Sequence, residues 1–212
     1  MSSDRGLLIV AIITLVASVA VAGFVYSSIN VFKDTWLTGF ASSSTGTVNL
    51  TVESSASINF TTNNINFGSG RVDQGAQNAT LITTGSGSVL NGNWTVVSHG
   101  FVLENIGNVN VSLNLTTGKT ATTFIGGTSP LYQLNVTANG TAAASATCSN
   151  GTGSADPNLG VWRDALGATP LTLCTVFSFI DGADKLRIDL KLAIPSDSLT
   201  GALGDVITVA AF

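Results

Sequence analysis

The chain has 212 residues, a formal net charge of −4 and only 9% charged residues, where a soluble intracellular domain carries about 25%. Gly, Ser, Thr and Asn fill the polar positions instead, and eight scattered Lys and Arg exclude a basic nucleic-acid surface. One histidine and two cysteines exclude a zinc cluster.

The first element is apolar. Residues 7–26, LLIVAIITLVASVAVAGFVY, hold no charge, proline or carboxamide, and the uncharged stretch runs from Gly6 to Phe32, where Lys33 and Asp34 end it. Twenty helical residues span about 30 Å, the hydrocarbon thickness of a bilayer, so this segment predicts a membrane-capable helix. Thr14, Ser18 and Ala22 recur at four-residue spacing, with Ala17, Ala20 and Gly23 as further small positions, while Ile12, Leu15, Val16, Val19 and Phe24 lie on the other faces. A small-residue stripe lets a second helix approach closely, and a plain lipid-facing anchor fits the same residues. A secretory signal has a shorter apolar core of about 7–15 residues; residues 20–23 supply a small-residue cleavage pattern, but the length of the run favours a helix retained in the mature protein. Arg5 before the helix, with Lys33 cancelled by Asp34 after it, puts the N-terminus inside and the bulk of the chain outside.

Residues 1–40 thus read as helix and neck, with Trp36 and Phe40 at the interfacial level, and the small-residue stretch 41–47 as a hinge. The remaining residues, 48–212, suffice for one head domain with its own core. There the period changes to two. Val48, Leu50 and Val52 alternate with polar residues, as do Ile58 and Phe60. A short apolar segment at 79–82 lies between glycine-rich turns, and Asn91-Gly92-Asn93 predicts a tight turn into a strand at 94–97. Residues 101–104 and 109–115 flank Asn105-Ile106-Gly107-Asn108 as a predicted hairpin, with Gly107 at a positive φ. Strands follow at 131–138 and 174–180, and at 185–192, where Leu186, Ile188, Leu190 and Leu192 point inward and Lys185, Arg187, Asp189 and Lys191 outward; the last strand covers 206–212. Seven to ten short strands with no second helical segment predict an α+β, mainly β protein: a long N-terminal hydrophobic helix followed by an antiparallel β-sandwich head, Ig-like or jelly-roll-like.

Nine of the seventeen asparagines begin an Asn-x-Ser/Thr sequon: Asn49, Asn59, Asn78, Asn93, Asn110, Asn114, Asn135, Asn139 and Asn150. Asn49, Asn59, Asn110, Asn114 and Asn135 fall on the polar phase of their strands, where an N-linked glycan points to solvent. Cys148 and Cys174, outside the membrane, predict a disulfide worth roughly 3–4 kcal/mol in the chain-entropy picture.

No catalytic constellation is legible. His99 stands alone beside Gly100, and neither G-x-S-x-G, a P-loop nor H-E-x-x-H occurs. Asp156, Asp181 and Asp184 form a loose acidic group, and Asp181-Gly-Ala-Asp184 has oxygen ligands for calcium, but its spacing matches no EF-hand and a solvated turn is the better reading. The expectation is a protein without enzymatic activity or cofactor.

Asp4-Arg5-Gly6 followed at once by Leu7-Leu8-Ile9-Val10 resembles the processing site of archaeal type IV pilins and archaellins, placing a leader-processing position at Arg5, Gly6 and Leu7. The layout of one N-terminal helix and a sequon-rich β-head is similar to the same superfamily. Ala11 stands where pilin helices often carry glutamate. The resemblance implies a structural subunit of an extracellular, cell-surface filament serving adhesion or motility. The chain is inserted in the membrane before assembly, its helices then pack against copies of itself, and glycosylated heads coat the outside. The alternative is a monomeric, membrane-anchored surface glycoprotein or adhesin.

Overall fold

A computed structural model describes residues 3–36 and 50–212. Phe40, the hinge at 41–47, Val48 and the Asn49 sequon lie outside the described residues. Two units are resolved, divided after Thr51.

In the first unit, helix α1 spans Ser3–Trp36, longer at both ends than the apolar run that predicts it. No proline interrupts it, and a single charged pair at Lys33 and Asp34 does not end a helix. Ile9–Ser27 is apolar enough to cross a membrane, with mean hydropathy 2.5, and none of it is buried.

Alternation builds the head. Among the described residues eleven strands are formed: β1 (Ile58–Thr62), β2 (Asn78–Ile82), β3 (Ser88–Leu90), β4 (Phe101–Asn105), β5 (Val111–Thr117), β6 (Leu131–Ala138), β7 (Cys148–Ser149), β8 (Trp162–Asp164), β9 (Leu171–Phe177), β10 (Lys185–Pro195) and β11 (Ile207–Ala211). All their pairings are antiparallel. One sheet has seven strands in the order β1-β4-β10-β2-β3, with β6 and then β8 on the far side of β10; the other has the order β11-β5-β9-β7. One core joins the sheets, Leu81, Leu103, Leu134, Leu186 and Ile188 from the larger meeting Leu113, Leu115, Leu173 and Phe177 from the smaller. The head is a β-sandwich, as the alternation predicts. Two one-turn helices, Ala121–Phe124 (α2) and Ala144–Thr147 (α3), are additions to that reading.

Three local predictions give way to tertiary context. Leu50 and Val52 belong to no strand and are 84% and 73% exposed. Residues 94–97 do not form a ladder either; Thr95 donates a single backbone bond to the Phe67 carbonyl, and Trp94 packs against the core by its ring. The predicted hairpin at 105–108 is instead a crossover, because β4 belongs to the larger sheet and β5 to the smaller. Asn105, 2% exposed, makes the corner: its amide donates to the Val109 carbonyl at 3.0 Å while its side-chain oxygen accepts from the Gly107 N–H at 3.1 Å. Gly107 is there for close approach, not for a positive φ, since a Cβ would strike the Ser55 carbonyl. Asn108 then clasps the incoming chain, accepting from the Ser55 N–H at 2.6 Å and donating to the Glu53 carbonyl at 2.8 Å.

β10 is the axis of the larger sheet. Along one edge it pairs with β6 from Leu186 to Ala193; along the other it pairs first with β4, to Ile188, and then with β2, from Lys191. Where β4 and β2 part, a buried polar knot completes the ladder. The Thr83 N–H donates to the Leu190 carbonyl at 3.0 Å, and the Leu190 N–H donates to Thr83 Oγ1 at 2.9 Å. That hydroxyl donates to Asp189 Oδ1 at 2.7 Å, and Arg187 Nε donates to both oxygens of the same carboxylate, at 2.9 and 3.0 Å. A second Arg187 nitrogen donates to the Thr83 carbonyl at 2.7 Å. Asp189 has the outward phase predicted for it, yet it is 2% exposed.

Because Arg187→Met would leave the buried Asp189 carboxylate without the cation paired to it at 2.8 Å, the substitution should cost about 3 kcal/mol in urea unfolding. Lys185→Met, which breaks the more exposed pair to Glu104 (3.3 Å), should shift the urea midpoint far less than Arg187→Met does.

Candidate functional site

Three surfaces bear on function: the naked helix, the sequon-bearing faces of the head, and the disulfide loop.

On the helix, the predicted stripe of Thr14, Ser18 and Ala22 is exposed, and Ser18 and Ala22 line a shallow groove with Ala17, Val21, Val25 and Tyr26. The hydroxyls turn back on their own backbone: Thr14 Oγ1 to the Ala11 carbonyl (2.9 Å), Ser18 Oγ to the Leu15 carbonyl (2.8 Å) and Ser27 Oγ to the Phe24 carbonyl (3.0 Å). No hydroxyl among these three needs water, so the surface suits lipid or another apolar helix. Arg5, Gly6 and Leu7 all lie within α1.

The sequons divide by burial. Asn59, Asn78, Asn93, Asn110, Asn139 and Asn150 are exposed and Asn114 is half-buried. Asn135 corrects the expectation. It has the predicted outward phase but is only 8% exposed, standing directly between Trp162 of β8 and Asp189 of β10. Lys191 lies 5.9 Å over the Trp162 ring and helps to roof that layer. Period-two reasoning sees which face a residue occupies, not whether large neighbours cover the face.

Cys148 and Cys174 are bonded as predicted, fully buried, with Cα atoms 5.7 Å apart. Asp156 fastens the same loop by other means. Its N–H donates to the Cys148 carbonyl at 3.1 Å, and its carboxylate accepts from the Thr175 N–H at 2.8 Å and the Asn158 N–H at 2.9 Å. Burial by itself would raise this carboxyl's pKa, but the hydrogen bonds from Asn158 and Thr175 outweigh it and hold the pKa below the usual aspartate range. Asp156 therefore does not belong with Asp181 and Asp184. In that turn Lys185 supplies the positive charge: bonded to Glu104 and facing Asp184 and Asp181, its amine is held above the ordinary lysine pKa. Among the described residues no group of three or more His, Cys, Asp or Glu is placed to hold a metal. His99 is exposed at the turn before β4.

The chain matches no protein-family model, no curated protein and no solved structure.

Glycopeptide mapping should find Asn135 bare, whereas the exposed Asn59, Asn139 and Asn150 are open to modification; a glycan on Asn135 of folded protein would contradict its burial. Asp156→Asn should lower stability by about 1–2 kcal/mol at neutral pH. A depressed folded-state pKa stabilises above the unfolded value of about 3.9 and loses that stabilisation as pH falls through the folded value. The gap between wild type and Asp156→Asn in denaturant unfolding should accordingly close on acidification below about pH 4.

Proposed function

We propose that this chain is the structural subunit of an extracellular filament of the archaeal type IV pilus or archaellum kind, with apolar helices gathered in the filament core and heads on the outside. The observation that carries the reading is the exposed Ile9–Ser27 segment in a chain whose described core residues begin only at Ile58. An apolar rod with no cover of its own must find lipid or other apolar helices, since each Å² withdrawn from water is worth about 25 cal/mol. The small-residue groove at Ala17, Ser18 and Ala22 gives copies a place to approach closely. The pilin-like sequence at residues 4–10 supports the same reading, and the heads, glycosylated at their exposed sequons, form the coat.

A second reading, a monomeric membrane-anchored surface glycoprotein or adhesin, draws on the internally satisfied hydroxyls of Thr14, Ser18 and Ser27, which suit a lipid surround equally well. In both, the chain is membrane-inserted at first.

Electron microscopy of material sheared from cells distinguishes them. Thin helical filaments containing this chain are expected; a chain released only by detergent, with no filaments, favours the anchor. Ala22→Trp, which fills the groove, should abolish filaments while leaving the thermal unfolding of the head within about 1 °C of wild type, because Ala22 belongs to the helical unit and not to the core cluster of the head.

A further inference from the structure

Five strands have one edge unpaired among the described residues: β1, β3 and β8 in the larger sheet, β7 and β11 in the smaller. An unpaired edge offers a row of backbone donors and acceptors to any other strand, and proteins blunt such edges with shortness, charge, proline, bulges or covering segments. Four of the five are blunted. β3 has three residues; β8 has three, with Arg163 and Asp164 among them; β7 has two and is bridged by Ala155; β1 is broken by an irregularity between Phe60 and Thr62.

β11 has none of these devices. Residues 206–212, VITVAAF, contain no charge, proline or glycine, and the register with β5 is unbroken from Ile207 to Ala211. Val206 and Phe212 are 70% and 69% exposed. Phe212 and Ser112 exchange both backbone bonds, at 3.0 and 3.1 Å, and the Gly118 N–H donates to the Val206 carbonyl at 2.9 Å. By the alternation of an antiparallel ladder, Thr208 and Ala210 also bond to β5, so Ile207, Val209 and Ala211 aim their N–H and C=O groups out of the sheet.

We propose that β11 is a self-pairing edge, joining two heads through antiparallel β11–β11 contact so that two four-stranded sheets become one of eight. The occupant is a second copy because the edge is complementary to itself. An antiparallel copy of the same row presents a donor to each acceptor, the two-fold arrangement repeats every contact, and a strand without charge sets no like charges opposite one another. Every other strand edge among the described residues carries at least one of these blunting devices, which singles out β11 for strand addition between heads. The contact is separate from helix packing and does not depend on the filament reading.

The test is residue-resolved amide exchange on the full chain in detergent over a range of protein concentrations, which reports the edge whatever the helices do. Association should slow the amides of Ile207, Val209 and Ala211 by about tenfold or more, while those of Thr208, Ala210 and Phe212 are protected at every concentration. Val209→Pro removes one outward N–H and no bond to β5, and should return Ile207 and Ala211 to fast exchange. Ala210→Lys, which places like charges across the pair, should do the same if the proline variant fails to fold. Outward amides that exchange at one fast rate at all concentrations overturn the proposal, and so does protection already complete in dilute chain, which would mean that something other than a second β11 covers the edge.

Discussion

The head depends on how β10 is flanked. A strand of eleven residues meets one continuous partner, β6, on one side and two short partners, β4 and β2, on the other. A ladder interrupted at its centre leaves backbone groups unbonded in a buried sheet, and such groups cost 1–3 kcal/mol each. Thr83 fills the gap with its backbone and its hydroxyl; the hydroxyl needs an acceptor, which is Asp189; the carboxylate needs a cation, which is Arg187. Each polar group is present because the one before it would otherwise be unpaired. Gly100 follows from the same crowding, since a Cβ there would strike the Ile188 carbonyl and would also lie 2.9 Å from Asp189 Oδ1.

The second constraint is the crossing between sheets. A sandwich cannot be made of hairpins alone, and the turn after β4 must carry the chain across the core while keeping its polar backbone satisfied. Asn105 does this from inside and Asn108 from outside, where it also holds Glu53 and Ser55 as the chain comes in. The disulfide and Asp156 do comparable work for the loop ahead of β8, the covalent bond fixing Cys148 against β9 and the carboxylate fixing the loop beyond it. These points hold the head's two sheets and the loop ahead of β8 together.

The two surfaces proposed for association differ in chemistry. The helix contact, as proposed, would rest on apolar area and on the small residues that let a second helix approach closely. The β11 contact, as proposed, would use directed backbone hydrogen bonds, which fix register and orientation. A polymer that uses both has one contact for cohesion and another for order between heads.

What the sequence by itself determined is whatever depends on neighbours along the chain. The helix follows from twenty uncharged residues in a row, β5 and β10 from strict alternation, and the disulfide from two cysteines with no other partner. Only the tertiary structure decided which strands meet, because the partner of a strand is chosen across the core and leaves no periodic trace. That is why 105–108 crosses between sheets where a hairpin was expected, why residues 94–97 find no ladder, and why Asn135 and Asp189, polar and outward by period, are buried beneath their neighbours. Side-chain alternation fixes a face; cover on that face comes from residues far away in sequence, and Trp162 and Lys191 supply it here.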